Sequence, residues 1–242
     1  MGLKEYIIGY AAGKDQFSRK ELSAYLYSCH KNYSDEYLSF IIQNLIASGD
    51  IIRKGRGIYC LADQNRPPFH CRPDDEIKEW KESLTSSFPF VSFCFWNVRD
   101  IVPLMHDVPN LRMTVVNCDK PAIRNVAEAL SSLTDKLVLR EPGWDMVAEF
   151  AYGRDLVIVT PLVSRAPIDL YENIPSPTLE KILVDILCEG QYHYLEGAEA
   201  VSIYGTALSD YRMNRKTLLA YASRRNRRKE VEQLLKQNSY DI

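Results

Sequence analysis

Two Glu-x-Lys tripeptides, Glu76-Ile77-Lys78 and Glu79-Trp80-Lys81, are the nearest approach in this chain to a catalytic pattern. A restriction-type nuclease needs an acid on one strand and Glu-x-Lys on the next, so that two carboxylates hold a metal while the lysine positions water or phosphate. Both tripeptides stand instead in residues 64–89, where prolines and clustered charge bound one short helix and mark a linker or domain junction. No Gly-Ser step occurs, as nucleotidyl transfer would require, and P-loop, dinucleotide-glycine and His-Glu-x-x-His patterns are missing. Asp119 follows the strand-like run RMTVVNC, a place where α/β proteins put functional acids, but Asp-Lys-Pro there reads as a plain turn. The histidines His30, His70, His106 and His193 are far apart, so His70-Cys71 with Cys60 is the one metal-ligand set to weigh. Six cysteines without a Cys-x-x-Cys pair are expected as buried, reduced thiols. No catalytic residue, metal or cofactor is assigned on these grounds, and a non-enzymatic protein is expected.

The cations offer a different chemistry. The net charge is −2 but unevenly spread: residues 1–63 carry +1, residues 64–211 carry −9 and residues 212–242 carry +6. Arg224, Arg225, Arg227, Arg228 and Lys229 crowd six positions, where they repel one another unless solvated or matched by a polyanion or an acidic partner. Three readings stand side by side for this segment: a solvated surface, a patch facing a protein partner, or a second nucleic-acid contact. Arg53, Lys54 and Arg56 form a second basic group inside the run IIRKGRGIYCL.

The elements that must position these residues follow from hydrophobic spacing. Leu3, Tyr6, Ile7 and Tyr10 predict a first helix ended by Gly13, and Ser18 caps a second carrying Leu22, Tyr25 and Leu26. Ser34 caps a third, with Asp35 and Glu36 at the positive end of its dipole and a stripe of Leu38, Ile41, Ile42, Leu45 and Ile46. Gly49 stops it, and two apolar runs around Lys-Gly-Arg-Gly predict a β-hairpin. Three helices and a hairpin in residues 1–63 are the order of a winged helix-turn-helix. In such a unit Ser34, Tyr37, Gln43 and Asn44, off the apolar stripe, face a DNA groove, and Arg53, Lys54 and Arg56 on the wing reach phosphates. The same unit can instead be a protein-interaction module.

Residues 90–242 predict an α/β domain whose C-terminal third is helical, giving an α+β chain overall. Apolar runs alternate with helical patterns and predict a buried sheet of about four strands, with Pro103 shortening or kinking one helix. Ser176 as N-cap, Pro177 at the first helical position and Gly190 as stop predict a helix over 176–190, with Leu179, Ile182, Leu183, Ile186 and Leu187 on one face and Glu180, Lys181 and Asp185 on others. Two further helices are expected to meet near Asn226. In QYHYLEG, Tyr192 and Tyr194 read as core packing. No apolar stretch approaches the roughly 20 residues that span a bilayer, so a cytoplasmic protein with no membrane partner is expected.

The run IIRKGRGIYCL, the segment Ser-Pro-Thr-Leu-Glu-Lys-Ile-Leu-Val-Asp from Ser176 and RKTLLAYASRR near the end resemble the AbiEi-type antitoxins of bacterial abortive-infection and type IV toxin-antitoxin systems. The resemblance covers nearly the whole chain as an order of elements. It implies a transcriptional regulator that binds promoter DNA through its N-terminal unit and opposes a nucleotidyltransferase-like toxin through the rest. It carries no active site with it. The alternatives from the residues alone remain a nuclease-like or nucleotide-handling α/β enzyme and a winged-helix protein-interaction module.

Overall fold

A computed structural model describes residues 2–12, 14–62, 66–150 and 153–238. The N-terminal unit follows the predicted order, with one addition. Helices α1 (Leu3–Ala11), α2 (Arg19–Ser28) and α3 (Asp35–Ala47) precede strands β2 (Ile51–Gly55) and β3 (Ile58–Leu61), and a two-residue strand β1 (Phe17–Ser18) pairs with β3. Ser18 starts α2 by a reciprocal box: Glu21 N donates to its Oγ at 3.2 Å and Ser18 N donates to the Glu21 carboxylate at 2.6 Å. The core of the unit is Ile7, Phe17, Leu22, Leu26, Leu38, Ile42, Leu45 and Ile51, separate from the cores of the body. Gly13, expected to stop the first helix, lies outside the described residues.

The body is built on a four-stranded sheet of order β4-β5-β7-β6, from β4 (Phe93–Asn97), β5 (Arg112–Cys118), β6 (Leu137–Arg140) and β7 (Asp155–Pro161). β5, β7 and β6 run parallel and β4 is antiparallel to β5. Both faces are covered, which explains why these strands read as continuous apolar runs rather than alternating ones. On one face α4 (Asp75–Ser87) and α5 (Ile123–Leu133) cover Phe95, Val116, Val157 and Val159. On the other, α6 (Trp144–Phe150), α7 (Leu179–Asp185), α8 (Ala198–Asp210), α9 (Arg215–Arg224) and α10 (Arg228–Gln237) enclose Trp96, Val115 and Ile158. Pro103 sits in a short 3-10 helix, Val98–Leu104, and α9 and α10 turn at Asn226, whose φ is +58°. The chain is thus α+β overall.

Two expectations are corrected. Within residues 64–89, expected as a linker or junction, α4 is no free linker, because it puts Ile77, Trp80 and Leu84 into the same core as Phe93 and Phe95. The charges that suggest a linker occupy the outer face of an amphipathic helix. The helix expected from Ser176 begins later, because Ser176 and Pro177 belong to strand β9 (Ile174–Pro177), which pairs with β8 (Ile168–Tyr171). Thr178 then precedes α7, and no side-chain cap is made there.

The two units meet along a short strap. Arg212 N donates to Pro67 O at 3.0 Å, Pro68 bridges to Arg212, and Arg66 donates to Leu208 O. Gly49, at φ +74°, closes α3 so near the body that a Cβ there would lie 2.6 Å from the Met213 carbonyl oxygen. Glycine is required at that point both by conformation and by space.

Since α4 belongs to the core, Trp80→Ala should cost about 3 to 5 kcal/mol in urea denaturation of the whole chain. A loss below about 1 kcal/mol, as for a solvated linker side chain, would contradict this placement.

Candidate nucleic-acid interface

The β2–β3 hairpin brings cations from separate parts of the N-terminal unit to one edge. Arg53, Lys54 and Arg56 are exposed on and beside the β2–β3 turn, and Gly57 at φ +72° lets that turn close. Arg19 N donates to Gly57 O at 2.9 Å, so the start of α2, with Arg19 and exposed Lys20, lies against the same turn. Arg19 also reaches the start of α3, its guanidinium 3.6 Å from the Asp35 carboxylate. A β-bulge between Arg53 and Gly55 shifts the hairpin register there.

The outer face of α3 has a different character. Ser34 spends its hydroxyl oxygen on the cap, accepting from Tyr37 N at 3.2 Å, as its N-cap role predicts. Gln43 is exposed, Asn44 is half-buried, and Tyr37 and Phe40 are 50% and 58% exposed with their rings 6.5 Å apart. Asp35 and Glu36 open the helix, which has no Lys or Arg along its length. Phe40 lies off the stripe of Leu38, Ile41, Ile42, Leu45 and Ile46, and next to the Ile41-Ile42 pair it gives no separate signal in the sequence.

The basic segment at residues 224–229 is not one surface. Arg225 turns inward to Asp185 at 3.5 Å and Glu189 at 3.1 Å. Arg227 pairs with Glu230 at 2.6 Å and Arg228 with Glu232 at 2.8 Å. Arg224 and Lys229 are exposed. The acids that answer this run stand at and just after the end of α7, distant in sequence, and in α10, about one turn further along the chain.

Arg225 joins a buried polar network that local sequence reasoning does not reach. Lys181 Nζ donates to Asp185 at 2.7 Å and to Asn117 Oδ1 at 2.9 Å; Asn117 in turn donates to Thr160 Oγ1 at 2.7 Å. Tyr221 OH donates to the second Asp185 oxygen at 2.8 Å, and Gln191 donates to Glu189 at 2.6 Å. Glu180, Lys181 and Asp185, expected away from the apolar face, are all buried, because α7 is enclosed on every side. The i, i+4 spacing of Lys181 and Asp185 is the available signal, but such pairs usually lie on solvated faces. Burial alone would depress Lys181; the Asp185 carboxylate more than offsets it and holds the ammonium above its usual range. Burial first, then the Asp185 charge, push Glu189 from its ordinary 4.5 up to about 7.

The other candidate groups do not assemble. In α4 the middle residues Ile77 and Trp80 face the core, while Glu76 bonds Thr134 and Lys136 and Lys78 pairs with Glu172 at 3.1 Å. The two tripeptides thus have roles on a helix surface. Asp119 accepts from Ser92 N at 2.9 Å and ties β4 to the end of β5. His70 stacks on Tyr171, Cys71 is buried in the body, and Cys60 lies in the N-terminal unit. Among the described residues no three His, Cys, Asp or Glu side chains are grouped to hold a metal ion. Tyr192 is buried against Trp96, Tyr194 packs on Trp144, and His193 is exposed beside Glu196 at 3.1 Å. All six cysteines are free thiols; burial raises Cys94 and Cys118 to about 12.

Fold and site together define an α+β protein of two cored units, with a basic edge on the smaller and a buried charge network in the larger; no helix among the described residues is long and apolar enough to cross a membrane. The chain belongs to DUF6577, a family of unknown function, whose sequence profile matches residues 37–241. That span begins within α3 and crosses the strap without a break. No curated protein matches the chain.

Removing one partner of a buried ion pair strands the other, so Lys181→Met should cost about 3 to 5 kcal/mol in denaturant titration, and a cost under about 1 kcal/mol would mean that water reaches Asp185. The Glu189 shift has the opposite sign to that of a carboxylate stabilised by its ion pair. The folded chain holds this proton more tightly than the unfolded chain. Its contribution is therefore complete below about pH 4.5 and lost as pH rises to about 7. Glu189→Gln should flatten the stability profile in that window by up to roughly 1.4 kcal/mol per pH unit; identical slopes in wild type and variant would remove Glu189 as the source.

Proposed function

We propose that this chain is a non-catalytic, DNA-binding regulator whose N-terminal unit is a winged helix. The element order α1-β1-α2-α3-β2-β3 and the sheet order β1-β3-β2 support that reading. The observation that carries it is the convergence of Arg19, Lys20, Arg53, Lys54 and Arg56 around one glycine turn, in a chain whose net charge is −2. Cations gathered on a narrow projection fit phosphate contacts, which give affinity without sequence information. The resemblance to AbiEi-type antitoxins extends the proposal to promoter binding in a cytoplasmic toxin-antitoxin pair, with a nucleotidyltransferase-like toxin as the partner of the body. Of the basic segment, Arg224 and Lys229 are best placed to meet such a partner, since Arg225, Arg227 and Arg228 engage carboxylates of the chain itself.

A second reading has its own observation. The outer face of α3 combines Asp35 and Glu36 with exposed Tyr37 and Phe40, a composition suited to a protein surface rather than to a phosphate-lined groove. On that reading the wing touches nucleic acid while α3 docks a protein.

Electrophoretic titration of duplex DNA at several salt concentrations tests the proposal. The Arg53→Ala, Lys54→Ala, Arg56→Ala triple variant should weaken binding for all sequences and lower the salt slope by about one unit for each phosphate no longer neutralised. Its fold stability should stay within about 0.5 kcal/mol of wild type. Binding unaltered in the triple variant removes the wing from the interface, and Asn44→Ala with unchanged sequence preference removes base reading by α3.

A further inference from the structure

Phosphate contacts employ the hairpin cations but leave the exposed rings of α3 without a role. Tyr37 and Phe40 are three residues apart and so neighbours on the helix surface, and their ring planes are inclined by only 25°. Two flat groups resting on them would share nearly one orientation. Tyr27, at the end of α2, is a third exposed ring, 5.5 Å from half-buried Tyr33. Single apolar side chains on a surface are ordinary, whereas ring pairs beside a group of cations form a combined chemistry.

Arg19 joins the rings to the cations. Its backbone N–H donates to Gly57 O in the hairpin turn at 2.9 Å, while its guanidinium donates to the carbonyl of Asp35, the first residue of α3, at 3.1 Å. From Asp35 to Phe40 the helix rises about 7.5 Å, at about 1.5 Å per residue. The hairpin turn and the ring pair on α3 are therefore linked through one side chain. Ser23 and Tyr27 follow Arg19 at four-residue intervals along α2, and Tyr33 OH donates to Ser23 O at 3.3 Å, so the second ring pair lies along the same flank of α2.

The charges on α3 decide which form of polyanion fits. The helix has no Lys or Arg and opens with Asp35 and Glu36, both exposed. In a major groove those carboxylates would be enclosed between the phosphates of two strands, an unfavourable meeting of like charges. An unpaired strand carries phosphates along one side and free base edges along the other. Laid with its phosphates on the hairpin cations, it turns its bases to the rings, and base amino groups rather than phosphates then meet the carboxylates. An acidic protein would be repelled by Asp35 and Glu36, and a basic one by the hairpin.

We infer that the N-terminal unit binds unpaired nucleic acid, its phosphates along Arg19, Lys20, Arg53, Lys54 and Arg56 and its bases stacked on Tyr37 and Phe40. The inference rests on the proposed nucleic-acid role of the hairpin cations and names the form of the ligand, a single strand in preference to a duplex.

Fluorescence anisotropy of the full chain with an end-labelled oligothymidylate of about 15 nucleotides tests it. The comparison ligands are the same strand annealed to oligoadenylate and a base-free deoxyribose-phosphate strand of equal length. At one salt concentration the oligothymidylate should bind about tenfold more tightly than either. Tyr37→Ala and Phe40→Ala should each weaken it by about tenfold, the loss of one stacked base, and leave the base-free strand within about twofold. Tyr37→Phe, which keeps the ring, should bind as wild type. So should Phe90→Ala, which removes a ring 98% exposed on the body. A duplex bound as tightly as the single strand overturns the inference, as does an equal loss in Phe90→Ala. Oligothymidylate binding unchanged in both α3 variants overturns it too and assigns the rings to a protein surface. In each of these cases, duplex binding that still depends on Arg53, Lys54 and Arg56 leaves the proposed regulator standing. Absence of binding to all three ligands removes both.

Discussion

Lys181 and Asp185 set the terms for the body of this protein. Placing an ammonium and a carboxylate out of water costs several kcal/mol for each ion unless every remaining hydrogen-bonding position is answered. Neighbouring elements supply the answers: Asn117 at the end of β5, with Thr160 behind it on β7, Tyr221 on α9 and Arg225 just after it. The pair therefore dictates which residue of α9 faces α7 and how far α7 sits along the sheet. An apolar contact at the same place would tolerate a sliding helix. This one tolerates a single register, because a displaced α9 would take Tyr221 and Arg225 away and leave Asp185 with Lys181 alone of the three.

The same network explains which part of the basic C-terminal run is available outside. A cluster of five cations suggests a broad positive patch, yet one is drawn inside by Asp185 and Glu189, and two are held by acids on α10. The field at a distance is correspondingly reduced and falls mainly to Arg224 and Lys229. On the N-terminal unit the opposite happens. One backbone hydrogen bond sets the start of α2, with Arg19 and Lys20, against the turn that carries Arg56, so a unit with almost no net charge gathers several cations on one edge, where Asp35 answers Arg19.

Local periodicity makes the N-terminal unit legible: Ser18, Ser34 and Gly49 stand where caps and stops are expected, and the stripe on α3 is the one that is buried. The central strands are legible as apolar runs for the same reason. What local reasoning misses depends on tertiary enclosure. Ser176 and Pro177 carry good helix-start chemistry, but pairing with Asp169 and Ile168 makes them strand residues instead. Lys181 and Asp185 carry the pattern of a solvated face, and only the packing of α9 over α7 shows otherwise. In α4 the charges dominate the local pattern, although Ile77, Trp80 and Leu84 decide where the helix goes. Of the candidate interface, the hairpin cations are visible as a motif; the approach of Arg19 to them is not, since nothing local connects it to the β2–β3 turn.

The thiols described above have a chemical corollary. Thiolate, not thiol, is attacked by electrophiles and oxidants. Cys94 and Cys118 lie in neighbouring strands β4 and β5, and the rise of both to about 12 leaves a vanishing thiolate fraction at neutral pH. Burial raises the Cys188 thiol as well, where it packs on the core beside Arg225. The half-buried Cys29, at the end of α2, stands apart from the sheet. Alkylating reagents and peroxide thus meet this protein most readily on its smaller unit, while the sheet between its helices stays chemically silent.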